Sequence, residues 1–382
     1  MNRVFATIVI LLVFLGCQEF SPFDGKTTPV VTLHVSENGN TVISTHISNE
    51  LVVWDLSNKN KNVQSTEANI YSAYVTKKGD FYLWQDLQNT VFVNSLGQGV
   101  VKKFKHFPVY GHWISNDLGK YVSLDIDWSL NINYGNKVEK IYSGDKNSFL
   151  GAHKLLNFSA SRSEEIFLTS GYGYDWTPDP RRSEKANLDA MRLSYKGVVL
   201  WDASIKKEIT RLPGNAAKTH ATLSPDGKFV VSGDENARVF LWDVNNPKTP
   251  LRMASLFHGT VINPNEHYTK YKWDKTGLIQ PPKDYSGERV ITVKFISNKH
   301  FLRFGHDNHY AVLYEIGNPL PLKYLELGTD PYPCVSDYSR NACIDTAPDV
   351  GILVMGQRDG GGINVYQFDK EKLSLEKVWV TN

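Results

Sequence analysis

Cysteine is scarce, with three in 382 residues, and methionine is rarer than most apolar residues, with four. No stretch keeps an amphipathic helical period over three turns, which argues against an α-helical or α/β architecture. No Pro- or Ser-rich linker divides the chain, although it is too long for one ordinary core. No charge of one sign dominates: Lys and Arg total 42 against 40 Asp and Glu, and no basic run occurs. That balance excludes the electrostatic footprint of a nucleic-acid binder. Nucleophile elbow, phosphate loop and zinc signature are all missing, so no catalytic residue, cofactor or metal site is assigned and the chain is not expected to be an enzyme. The one long uncharged run, Val4 to Leu15, is too short to span a bilayer as a stable helix.

What is present centres on Ser224 to Val244, S-P-D-G-K-F-V-V-S-G-D-E-N-A-R-V-F-L-W-D-V. Ser224-Pro225-Asp226-Gly227 is a tight turn, because proline presets φ and glycine accepts the position other residues avoid. Phe229–Ser232 and Val239–Trp242 then form a hairpin that ends in Trp-Asp. This stretch resembles a WD repeat, the unit of one four-stranded β-propeller blade.

The pattern recurs in phase. Gly39 precedes Trp54 by 15, Gly119 precedes Tyr134 by 15, Gly227 precedes Trp242 by 15, and Gly351 precedes Tyr366 by 15. Gly79 to Val93 and His300 to Tyr314 are each 14. A further copy, Ser161 to Trp201-Asp202, fits with an insertion between its strands. The seven end marks are separated by 39, 41, 67, 41, 72 and 52 residues, so three intervals match the repeat and three carry insertions. The fold expected is all-β, a seven-bladed propeller over residues 30–382. Trp54-Asp55, Trp201-Asp202 and Trp242-Asp243 are its structural signature pairs, with Trp between sheets and Asp bonded to nearby backbone. His220 falls inside the first strand of the best repeat rather than in the loop where the family places its histidine. The family's hydrogen-bond relay is therefore not expected there. Closure is open between blade packing alone and an added edge strand from Phe20–Phe23.

The N-terminus is read separately. Residues 1–16 have the positive start and apolar core of a signal peptide. Phe14-Leu15-Gly16-Cys17 resembles the bacterial lipobox, although Phe14 and Leu15 depart from its usual residues. By that resemblance Cys17 is lipidated, residues 17–29 form a tether, and Gln18 directs the protein to the outer membrane, facing the periplasm. The alternative is an ordinary secretory signal that leaves Cys17 incidental. With Cys17 acylated, Cys334 and Cys343 make an even pair in an oxidising compartment, as a disulfide or as two buried thiols.

Two insertions stand out, 172–196 within blade four and 258–288 between blades five and six. In the WD-repeat family such loops emerge on one face. They carry Tyr172, Tyr174 and Trp176, and Tyr268, Tyr271, Trp273 and Tyr285, residue types that binding hot spots use. These are the candidate partner contacts, unless they only pack the loops together. His300, His306 and His309 cluster in sequence; His306 and His309 fall three apart in one turn, with no third ligand at suitable spacing, and Asp125 and Asp127 could share a face. The function expected is a membrane-anchored adaptor of the cell envelope that binds a protein partner. The alternative is a carbohydrate or small-ligand binder, or a hydrolase, using the aromatic loops and the central channel. Oligomeric state is not legible.

Overall fold

The computed structural model describes residues 28–380, except 66–69, 87, 107–108, 126–128, 135–136, 143–153, 162, 164, 173–179, 188–196, 203–206, 213–214, 216–217, 236, 258–259, 263–269, 272–278, 280, 286–288, 306–308, 329–342 and 358–360. Seven four-stranded antiparallel sheets follow one another along the chain, each with its strands in sequence order. Blade one is β1 (Val30–Val35), β2 (Thr41–His46), β3 (Glu50–Asp55) and β4 (Asn60–Ser65). Blade two is β5 (Ile70–Val75), β6 (Phe81–Asp86), β7 (Thr90–Ser95) and β8 (Gly99–Lys105). Blade three is β9 (Val109–Ile114), β10 (Lys120–Asp125), β11 (Leu130–Tyr134) and β12 (Lys137–Tyr142). Blade four is β13 (Lys154–Ala160), β14 (Ile166–Tyr172), β15 (Val198–Asp202) and β16 (Lys207–Arg211).

Blade five is β17 (Thr219–Leu223), β18 (Phe229–Asp234), β19 (Val239–Asp243) and β20 (Asn246–Met253). After it, β21 (Ser255–Phe257), β22 (Thr260–Ile262) and β23 (Lys270–Tyr271) make a separate three-stranded sheet. Blade six is β24 (Thr292–Phe295), β25 (His300–Phe304), β26 (Tyr310–Glu315) and β27 (Lys323–Glu326). Blade seven is β28 (Ile344–Ala347), β29 (Ile352–Gly356), β30 (Ile363–Asp369) and β31 (Ser374–Val380). The result is the expected seven-bladed all-β propeller. One boundary moves: the second insertion starts at Ala254, not 258, because blade five's last strand stops at Met253.

The second and third strands of a blade are covered on both flanks by neighbouring blades. They therefore read as continuous buried runs, such as Thr41–His46 and Val239–Trp242, rather than as alternating ones. Outer strands read polar; β8 is exposed at every residue but Phe104. The first turn of a blade explains the glycine spacing. Gly39, Gly79, Gly227 and Gly351 have φ between +67 and +80°, where a Cβ is disfavoured. In blade three, Leu118 (φ +57°) takes this position instead of Gly119. The turns are clasped by side chains: Ser224 Oγ donates to Asp226 Oδ1 at 2.7 Å, which also accepts from Lys228 N at 3.1 Å. Ser36 with Asn38 and Ser115 with Asp117 repeat the arrangement.

The three signature tryptophans fill the seams between blades. Trp54 packs with Val354 and Val365 of blade seven, Trp201 with Trp113 and Val122 of blade three, and Trp242 with Leu168 and Leu200 of blade four. The first of these seams closes the ring. Val30, Leu33 and Val35 of β1 share a core with Ala347, Val354 and Ile363. Val30 N also donates to Gln357 O at 3.3 Å. Every described blade owns its four strands, so packing joins blade one to blade seven. Phe20–Phe23 lies outside the described residues.

Candidate functional site

Strand direction alternates within a blade, so the first and third turns emerge at one end of the ring and the second turns and blade-to-blade links at the other. At the first end no connection exceeds seven residues. At the other end, 25 residues separate β14 from β15, 38 separate β20 from β24, and 17 separate β27 from β28. Both predicted insertions and the Cys334 connector therefore leave from one loop-rich face. Tyr172 ends β14 and Tyr271 ends β23, whereas Tyr174, Trp176, Tyr268 and Trp273 lie outside the described residues.

Tyr285 is described, and it is half-buried. Arg303 of β25 is fully buried, and its Nη1 donates to the Tyr285 hydroxyl. The Tyr285 ring meets Tyr324 at 5.0 Å and Tyr310 at 6.3 Å, both edge-on. Tyr310 donates to both carboxylate oxygens of Asp284, at 3.0 and 3.1 Å. Where the insertion departs, Tyr314 donates to Ala254 O at 2.8 Å. Blade six thus holds both ends of the second insertion. Burial alone would lower the Arg303 pKa, but Tyr285, Tyr314 and Tyr324 hold it above its ordinary value, so the guanidinium stays charged.

Hydrogen-bond relays run inside the blades, which corrects the expectation drawn from His220. In blade five, Trp242 Nε1 donates to Ser232 Oγ at 3.4 Å, and Ser232 Oγ donates to Asn215 Oδ1 at 2.5 Å. Asn215 Nδ2 then donates to Asp234, which pairs with Arg238 Nε at 3.0 Å. Asn215, in the link before β17, occupies the loop position, and an amide replaces the imidazole. Blade three has a histidine there: His106 Nε2 lies 2.7 Å from Ser123 Oγ and 3.1 Å from Asp125 Oδ1. In blade one, Trp54 Nε1 donates to Ser44 Oγ, which meets His46 Nε2 at 2.9 Å. Trp201 Nε1 donates to Thr169 Oγ1 at 2.8 Å. His220 is buried in β17, and burial, reinforced by Lys218 and Lys294, pushes its pKa down to about 3.

Asp55, Asp202 and Asp243 each end their strand. Asp55 accepts from Ser57 Oγ, Asn58 Nδ2 and Asn58 N, and these bonds hold its carboxyl below the usual range. Asp243 accepts from Asn245 N at 2.8 Å, and Asp202 sits half-buried at the end of β15. Asp125 is spent on His106 and Asn131, and Asp127 lies outside the described residues. His300 starts β25 and His309 precedes β26, so they stand at opposite ends of blade six; His306 is outside the described residues. Among the described residues no group of three His, Cys, Asp or Glu side chains could hold a metal. Cys17 and Cys334 also lie outside them, while Cys343 is buried with Sγ 3.2 Å from Val31 O, in the closing seam.

The first strands of all seven blades enclose an axial cavity of about 230 Å³ that opens towards the tight-turn end. Asp345 crosses three blades in its wall: Lys294 Nζ is 2.9 Å away, Val35 N donates to it at 3.1 Å, and His34 Nδ1 is 3.6 Å away. Burial would raise the Asp345 pKa, but Lys294, followed by His34, holds it well below the usual carboxylate range. At the mouth, Lys77 Nζ pairs with Glu37 at 3.0 Å and also donates to Ser161 O in blade four. These paired charges offset one another; Thr32, His112, Ser159, Thr222, Ser224, Thr346 and Asp349 add further polar lining.

Known proteins agree with this architecture. Residues 206–243 match the family model described as WD domain, G-beta repeat, which here runs from β16 through β19. The chain is 33% identical over 102 residues to nuclear distribution protein PAC1 of Arthroderma benhamiae and of Trichophyton verrucosum. Those alignments cover 25% of this chain and 22% of each relative, so the chain spans about a fifth of the curated relatives it matches. The crystal structure of the Myceliophteria thermophila Cps50 (Swd1) β-propeller domain superposes with a TM-score of 0.59 at 15% identity. It covers 92% of this chain and 100% of that one. The likeness is one of fold.

Proposed function

We propose that the chain is a non-catalytic adaptor that binds a protein partner through its loop-rich face while an N-terminal lipid holds it at a bacterial outer membrane. One observation carries the reading: every connection longer than seven residues leaves the same face. Loops displayed from a rigid frame are the usual seat of binding. The anchoring of one end of the second insertion on Arg303 and Tyr310 supports it, because fixing where a loop leaves the frame lowers the entropy lost on binding.

The tether reading rests on the signal-like residues 1–16 and on Cys17. The described chain starts at the loop-rich end of blade one, where Thr28 O lies 2.6 Å from His46 Nδ1. The proposed Cys334–Cys343 bridge would staple the last connector to the closing seam. Chemical crosslinking in intact cells is the test, comparing the wild-type chain with a deletion of 172–196. The deletion is expected to lose specific crosslinked partners, and an unchanged partner profile would overturn the assignment of that face. Mass spectrometry of the N-terminal peptide checks acylation of Cys17, and non-reducing mass analysis checks the bridge. The axial cavity favours a second reading, a small polar ligand or sugar, which thermal-shift screening with glycans would detect as a raised melting temperature.

A further inference from the structure

We infer that the outer rim of blades one to three docks against an anionic phospholipid bilayer, which rests on the membrane-tethered reading for the source of lipid. The outer strands β4, β8 and β12 together carry six lysines and one glutamate, in a chain whose charges nearly balance. This excess is spread over three strands about forty residues apart, which is why no basic run marks it in the sequence. Apolar side chains lie among the lysines: Val63 is 41% exposed, Val100 53%, Val101 45% and Val138 60%. The lysine stems add to the apolar surface, with Lys61 Nζ 5.3 Å from the Trp54 ring centre and Lys102 Nζ 5.8 Å from that of Phe104.

A blander account is that lysines protect an exposed sheet edge from pairing with another chain. It explains Lys102, Lys103 and Lys105 but not the adjacent Val100 and Val101, which make an uncovered edge more adhesive. Interleaved cationic and exposed apolar side chains instead suit a headgroup layer, where phosphates meet ammonium groups and methyls reach the acyl boundary. The start of the described chain is compatible with the same occupant. Thr28, at the start of the described chain, is held on blade one by Ser48 N at 3.0 Å and by His46. An acyl chain on Cys17 lies eleven residues before it, at most about 40 Å when extended, a reach that allows the rim of blade one to meet the bilayer without selecting it. Edge-on docking leaves both ends of the ring open.

The test is vesicle flotation of the chain from Gln18 onward, which lacks both the acylated cysteine and the apolar run Val4 to Leu15. Phosphatidylcholine vesicles are compared with vesicles containing phosphatidylglycerol. Each lysine near an anionic surface contributes about fivefold to partitioning, so reversing Lys102 and Lys103 to Glu should reduce binding to the anionic vesicles on the order of 100-fold. Lys248→Glu with Lys323→Glu, on blades five and six, should keep most of it, and melting temperatures of both variants verify folding. Val100→Ser with Val101→Ser should weaken binding without changing its salt dependence. Equal binding to both vesicle types, or equal loss in the distant variant, would overturn the proposal. So would retention on an acidic polypeptide resin without binding to anionic vesicles, which would identify a protein partner instead. The anchor is scored separately by the mass of the Cys17 peptide. An acylated Cys17 with an inert rim therefore sinks only this inference, and an unmodified Cys17 with a binding rim sinks only the tether.

Discussion

Substituting Gly356 with Ala tests ring closure directly. Gly356 ends β29, and a Cβ built on it would lie 2.8 Å from both Cβ and Cγ1 of Val30 and 3.2 Å from Cγ2. Ordinary carbon contacts are about 3.5–4.0 Å, so blade one would have to retreat by close to 1 Å. Gly356 does not have a positive φ, so alanine is allowed by the backbone and the penalty is steric. Overpacking of this kind costs about 1–3 kcal/mol, offset by about 0.4–1 kcal/mol from a less flexible unfolded chain. A net loss of about 1–2 kcal/mol is expected in urea unfolding followed by circular dichroism. The loss should be local, with faster amide exchange in β1 and β29 and little change in β17. Gly233→Ala supplies the comparison, since its Cβ would fall 2.5 Å from Val290 Cγ1 at the seam between blades five and six. That variant should be destabilised while β1 stays protected. If Gly356→Ala is as stable as the wild type and β1 exchanges no faster, the blades do not close in the way described.

Three further outcomes follow from buried polar groups. His220 has a folded pKa of about 3, below its unfolded value, so the unfolded chain binds the extra proton as pH falls below about 6.5. Stability should fall by up to about 1.4 kcal/mol per pH unit between 6.5 and 3 from this residue, and urea midpoints of His220→Gln should show a shallower slope. Lys294→Met should cost up to about 3 kcal/mol by leaving the Asp345 carboxylate without its ammonium, and adding Asp345→Asn should recover much of that in the same denaturation assay. Tyr285→Phe removes the hydroxyl that accepts from Arg303 and should cost about 1–3 kcal/mol, with faster proteolysis of residues 258–288 as the local readout.

The ring was legible in the sequence because its constraints are local and repeated. A left-handed glycine and a seam-filling tryptophan 15 residues later belong to the same sheet, as Gly227 and Trp242 do. Blade four was legible despite its insertion, since the Trp201-Asp202 pair marks where the chain returns. Features held by distant partners were not legible. Asp345 and Lys294 are 51 residues apart on different blades, and no spacing rule connects them. The blade-five relay was not legible because it uses the amide of Asn215 where the family has an imidazole. The strands β21 to β23 are two or three residues long and carry no period. Tyr285 illustrates a limit of composition: a tyrosine that anchors a loop and one that greets a partner look alike in sequence, and only its contact with buried Arg303 distinguishes them.

The chain enters the ring through its innermost strand, β1, and this has a mechanical consequence. A tug on the leader along the ring axis loads the ladder pairs from Thr32↔Thr45 to Val35↔Val42 together, in shear, instead of peeling them one at a time. The Asp345 carboxylate gripping Val35 N adds a lateral pin at the far end of the same strand. If the proposed anchor holds residue 17, a pull on the body would therefore be resisted at the point where it arrives, while the peripheral strands bear almost none of the strain.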